Sequence, residues 1–243
     1  EKYSIKDEQI KFHTPYLSII SINTFWSLSE ETANQVEVRC QVNLNNPVSP
    51  VKLKPLLKLL VGSKEMPYRI ITQNDAETIE LAFPFDPKTT LDEIKGEAII
   101  EKGLICTGGN TASTEPVKSS FLIPSKDKLT ITATETGFDD GKGYIDVLTS
   151  QPVSAEGLSG FVSIIPALDF QTELLSNGFR IKAEFLGSQS YTLNIKKGVK
   201  SFFGYDLEED YTSVVSFADP LPFISFTERN AVYLSTKGER NLG

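Results

Sequence analysis

The residues able to do chemistry are few, and their spacing assembles no catalytic centre. His13 is the only histidine among 243 residues. A Ser-His-Asp triad, a Cys-His pair or a multi-histidine metal site is therefore out of reach. Cys40 and Cys106 are the only cysteines, too few for a disulfide framework or a cysteine-based zinc site. Neither has a basic cluster or a helix start beside it to favour a thiolate nucleophile. They could form one bridge in the first half of the chain or stand as two buried or half-buried thiols. Trp26 precedes Cys40, whereas antibody domains place a tryptophan after the first cysteine, which favours free thiols. Gly108-Gly109 lacks the Lys-Ser/Thr pair of a phosphate loop. Asp139-Asp140-Gly141-Lys142-Gly143 lacks the distal bidentate glutamate of a calcium loop and reads as a tight turn. Asp206-Leu207-Glu208-Glu209-Asp210 reads as a solvated face. We therefore expect no catalytic, metal-binding or cofactor-binding residue.

What remains is a cluster of aromatics. Phe202, Phe203 and Tyr205 share one turn, and Phe223 and Phe226 follow nearby. Core packing or an interdomain contact accounts for such a group more simply than a sugar platform. These five residues are the candidate interface with a partner or a following domain.

The elements that would position them are strands. Val36 to Leu44, Arg69 to Thr72, Glu77 to Phe83 and Leu129 to Ala133 read as half-buried strands. So do Tyr144 to Leu148, Phe179 to Phe185, Tyr191 to Ile195 and Ser213 to Phe217. Turn-forming residues separate them, as at Asn45-Asn46-Pro47 and Ser176-Asn177-Gly178. Short helical turns are expected at Ser49 to Leu57 and Ala155 to Phe161, and no longer helix. Hydrophobic residues make up 40% of the chain, ample for packed cores, and no run approaches the length of a membrane span. The net charge of −8 argues against nucleic acid and anionic lipid as partners.

The chain also repeats itself. Val42-Asn43-Leu44-Asn45-Asn46-Pro47-Val48-Ser49 is echoed by Val147-Leu148-Thr149-Ser150-Gln151-Pro152-Val153-Ser154, with Leu53 to Leu60 facing Leu158 to Ile165. Later, Ala98 to Leu104 is echoed by Leu193 to Val199, after which Gly109 corresponds to Gly204. In each echo the proline should end a strand, and Gly103 and Gly198 should supply a flexible turn. The fold class expected is all-β, with two tandem immunoglobulin-like sandwich domains meeting at Pro124 to Lys128. Residues 1–125 would form the first, 126–220 the second, and 221–243 the start of a following domain or docked C-terminal strands.

Tyr191-Thr192-Leu193-Asn194-Ile195-Lys196-Lys197-Gly198-Val199, then Gly204 to Leu207, then Val214 to Phe217, resembles the closing motif of bacterial Ig-like and macroglobulin-type domains. With Pro222 to Phe226, Ala231 to Leu234 and Gly238 to Leu242, residues 140–243 resemble the bacterial, Bacteroidetes-type alpha-2-macroglobulin family. That resemblance implies a large periplasmic or cell-surface protein, often a lipoprotein, anchored to membrane only by a removed N-terminal lipid signal. It implies protease trapping through a bait region and, in many members, a Cys-x-Glu-Gln thioester. Cys40 is followed by Gln41-Val42-Asn43 and Cys106 by Thr107-Gly108-Gly109, so neither carries that motif. This chain would then be N-terminal, non-catalytic scaffold. Its partners would be the downstream domains and, through the full-length protein, proteases. An adhesive spacer or a carbohydrate-binding accessory module is the competing reading.

Overall fold

The computed structural model describes residues 16–32, 35–62, 64–86, 93–139 and 141–218. His13, Asp140, Phe223, Phe226 and the whole of 221–243 lie outside them. The first half contributes β1 (Ile19–Leu28), β2 (Val36–Val48), β3 (Leu57–Val61), β4 (Lys64–Glu65), β5 (Arg69–Ile70), β6 (Ala76–Phe83), β7 (Ile94–Ile100) and β8 (Val117–Ile123). The second contributes β9 (Ile131–Asp139), β10 (Lys142–Thr149), β11 (Val162–Ile165), β12 (Phe170–Leu175), β13 (Gly178–Ala183), β14 (Ser190–Ile195) and β15 (Tyr211–Ser216). The fold is all-β, in four antiparallel sheets. Their orders are β1-β2-β6-β5 and β4-β3-β7-β8, then β9-β10-β13-β12 and β11-β14-β15.

Alternation drives each sheet to bury one face. Val38, Cys40, Val42 and Leu44 of β2 point inward with Ile79, Leu81 and Phe83 of β6, and all seven are at most 1% exposed. They share a core with Leu59, Ala98, Ile100, Phe121 and Ile123 from the other sheet of that half. A separate core in the second half joins Ile145, Val147, Phe179 and Ile181 to Ile164, Tyr191, Leu193, Ile195 and Val215. Among the described residues helix is confined to one turn at Pro50–Leu53 and a 3-10 turn at Leu158–Phe161, each burying one leucine, Leu53 and Leu158.

The two sheet pairs share one strand order, and matching positions make the same backbone bonds. Glu101 N–H donates to Leu56 O as Lys196 N–H donates to Phe161 O, both at 2.8 Å. Thr107 N–H reaches Pro47 O at 2.8 Å, and Phe202 N–H reaches Pro152 O at 2.7 Å. Between the sheets, the Thr24 hydroxyl donates to Leu122 O and the Thr136 hydroxyl to Ser216 O. Gly103 and Gly198 turn the chain with φ of 106° and 100°.

Several details differ from the sequence expectation, strand ends among them: Leu129 and Thr130 precede β9, and Phe185 and Phe217 follow β13 and β15. β2 continues through Pro47 to Val48 instead of ending there. The register breaks between Asn43 and Val48, so the proline owes the ladder no N–H. In the second half the strand does stop, at Thr149, before Pro152. Gly109 and Gly204 make the same bond, to Cys106 O at 3.0 Å and Ser201 O at 3.2 Å. The left-handed residue, however, is Gly204 in one loop and Gly108 in the other. Finally, Ile71 and Thr72 fall outside β5, which is only two residues long.

Candidate interaction site at the junction of the two halves

Pro124 to Lys128 runs between β8 and the start of the second half, and polar groups hold it from both sides. Trp26, the only tryptophan, is 1% exposed on β1. Its indole N–H donates to Pro124 O at 2.8 Å, and its backbone N–H donates to Ser150 O at 2.8 Å. From the second half, the fully buried Gln151 donates from Nε2 to Lys126 O at 2.6 Å and to Lys128 O at 3.3 Å. The Ser150 hydroxyl donates to Lys128 O and accepts from Thr130 N–H. Lys126 Nζ lies 5.8 Å from the Trp26 ring centroid. Segment carbonyls that water would otherwise satisfy are thus bound to the protein, which orders the connection.

Of the five aromatics expected from sequence, three lie in the described residues; Phe202 and Phe203 stay edge-on at 6.3 Å, but each of the three has a different surrounding. Phe203 reaches back and packs against the core of the first half. Tyr205 packs on the second core, and its hydroxyl donates to Asp127 Oδ1 at 2.9 Å. That bond, then burial, raises the phenol above its ordinary value. Phe202 is 65% exposed. One turn therefore grips both halves and the connection between them.

The reactive residues are disposed otherwise. Cys40 and Cys106 are both free thiols, Cys40 buried on β2 and Cys106 half-buried in the loop after β7. Burial pushes the Cys40 thiol up to about 12, leaving it protonated and inert at neutral pH. Burial raises Cys106 as well. Asp210 is paired with Lys196 at 2.8 Å and accepts from Lys197 N–H, and those bonds lower its carboxyl. Glu208 faces Lys128 at 3.4 Å. Among the described residues no three His, Cys, Asp or Glu side chains converge as metal ligands. An open groove of about 800 Å³ runs along the junction, lined by Asn23, Thr24, Lys95, Phe121, Pro124 and Thr132 among others. Its charged lining is Glu93 and Lys95 at one side, beside the hydroxyls of Thr24, Ser120, Thr130 and Thr132.

Sequence reasoning missed two features. One is the anchoring of Trp26, since nothing in its neighbours signals a partner nearly a hundred residues away. The other is a buried ion network on the outer face of the β1-β2-β6-β5 sheet. Arg39, 5% exposed, pairs with Glu37 at 2.9 Å, Glu80 at 2.8 Å and Glu30 at 3.1 Å. Arg69 reaches the same Glu37 at 2.6 Å. Both arginines are thereby neutralised, so the network is a clamp across strands, not an anion site.

No family model matches the chain, and no curated protein matches it.

Proposed function

We propose that the chain is a non-catalytic scaffold of two tandem immunoglobulin-like domains, held at a fixed angle to one another. Each pair of sheets supports the immunoglobulin reading. The order β9-β10-β13-β12 with β11-β14-β15 is that of the A-B-E-D and C-F-G sheets of a constant-type domain, and the first half adds β4 beside its third strand. The observation that carries the scaffold reading is the double anchoring of Trp26. Two bonds from one buried residue, to Pro124 O and Ser150 O, restrain both the connection and the neighbouring domain. A spacer that only tethered its neighbours would have no use for them.

Within this reading, the closing motif at Tyr191 to Phe217 favours the scaffold of a periplasmic or surface-located macroglobulin-type protease trap. Chemistry would then reside in other domains of the full-length protein. The test of the scaffold is NMR relaxation on the chain. One rotational correlation time and a slowly exchanging Trp26 amide are expected; independent tumbling of the two domains would overturn it. The test of the trap is protease added to the full-length protein. Capture of the protease after cleavage is expected. Saturable binding of a glycan by this chain, without protease capture, would replace it with the carbohydrate-accessory reading.

A further inference from the structure

The equivalence of the two halves exposes a surface whose counterpart is already occupied. Trp26 lies opposite Val38 in β1–β2, and Phe138 lies opposite Gly143 in β9–β10. Two residues before each stands the threonine that bonds across to the last strand, Thr24 and Thr136. Phe138 therefore holds the place of Trp26. Its pairing with Gly143 turns its N–H away from β10, as the Trp26 N–H turns from β2 toward Ser150 O. Among the described residues no backbone bond outside the ladders reaches that N–H. Trp26 is 1% exposed under the second half, whereas Phe138 is only half-buried. Phe138 packs edge-on to Phe217 at 5.6 Å, Phe217 stacks on Phe185 at 4.6 Å, and the adjoining Leu186 is 57% exposed.

We infer that this far end of the second half, formed by Phe138 and Leu186 over the buried Phe217, docks a further β-sandwich that carries the second half's own loops. Those loops are the Ser150-Gln151-Pro152 turn, whose Ser150 carbonyl accepts from the Trp26 amide, and the Phe203 turn, which packs on the preceding core. The interface is head-to-tail, so one docking step leaves the same kind of end free for the next. A second copy of this chain is a poorer fit, because its leading end is the first half. There Gly108 stands where Phe203 would be needed. Asn45 stands in the place of Ser150, and its side chain is tied to Tyr16 O and Ser18 N–H, which lays the chain before β1 against that turn.

The inference rests on the scaffold reading, and one experiment separates the two. Residues 1–218 are extended by a second copy of 125–218, so that Ala218 takes the place of Pro124, and amide exchange is compared with that of residues 1–218 alone. The Phe138 amide is expected to slow by roughly tenfold or more, and Phe203→Ala in the added copy alone to reverse the effect. An unchanged Phe138 amide with a freely tumbling third sandwich overturns the inference. If Trp26 stays protected in that sample, the scaffold reading survives; if Trp26 exchanges freely, that reading falls as well. Protection of Phe138 in residues 1–218 alone that grows with concentration would identify a second copy as the occupant and overturn the inference too.

Discussion

Replacing Trp26 by phenylalanine removes one donor from the junction and little else, because phenylalanine is what the second half carries at the matching position. Two losses follow. The Pro124 carbonyl, reached by the indole N–H at 2.8 Å in a buried setting, is left without that donor, at a cost of about 1–3 kcal/mol. The smaller ring leaves a void of about 40 Å³, which at ~24 cal/mol per Å³ adds about 1 kcal/mol if nothing collapses into it. Stacking on Phe85, at 6.4 Å and 29°, survives in part because a phenyl ring still lies there. The total is about 2–4 kcal/mol. Urea unfolding followed by far-ultraviolet circular dichroism reads it without needing the lost fluorophore. The backbone bond to Ser150 O should persist, so small-angle scattering of the folded variant should keep the parent's radius of gyration. A loss below about 0.5 kcal/mol would show that the indole bond does not restrain the connection.

Other expected outcomes follow from the same geometry. Gly198→Val should cost about 1–3 kcal/mol, since φ of 100° opposes a β-branched residue and a Cβ there would lie 3.1 Å from the Phe161 ring; an unchanged melting temperature would remove that turn from the account. Thr24→Val and Thr136→Val should each cost about 1 kcal/mol by freeing a carbonyl between the sheets, and the two should add within error in a double variant. Stability should fall in alkali. The Cys40 thiol is raised from about 9 to about 12, so its contribution is complete below pH 9 and is lost as the pH rises toward 12, by about 2 kcal/mol at pH 10.5. Tyr68, raised by burial to about 12, acts in the same direction, and a Cys40→Ala variant should flatten the denaturation midpoint against pH between 9 and 10.5.

Strand identity was legible where alternation was clean. Val36 to Leu44, Glu77 to Phe83 and Tyr191 to Ile195 all lie in strands, because a period of two with β-branched and aromatic residues has few other solutions. β1 was not legible: Ile19 to Leu28 interrupts its apolar residues with Ser21, bonded to Asn43, and with Asn23 and Thr24, which face the junction groove and the last strand. The matching β9 extends well past the Leu129 to Ala133 stretch, through Thr136 to Asp139, for the same reason. Edge strands bonded through a hydroxyl need no apolar run. The ion network was illegible on other grounds: Glu37 and Arg39 share one face of β2, but Glu30, Arg69 and Glu80 reach them only through sheet pairing and a loop.

The repeat was legible in its turns and hidden in its cores, and the reason is volume exchange. In the first half Gly96 faces Phe121 across β7–β8, and the ring fills the space a Cβ would need, 2.3 Å away. At the matching pair Tyr191 faces Val215, so the large residue has changed strands. Likewise Val38 and Phe83 pair in one half where Gly143 and Ala183 pair in the other, and there Phe185 closes over Gly143, with its Cβ 2.6 Å from where a glycine Cβ would sit. Each exchange preserves packing at the cost of residue identity. Backbone bonds such as Glu101 to Leu56 O and Lys196 to Phe161 O are indifferent to those side chains and persist. The likeness of the two halves is therefore carried by hydrogen bonds and left-handed turns, not by matched core residues. The Trp26-to-Phe138 exchange belongs to the same pattern, with one difference: it alters a polar contact as well as a volume. Phenylalanine has no indole N–H, so a further sandwich docked at Phe138 would be held there by the backbone bond and the apolar contact alone.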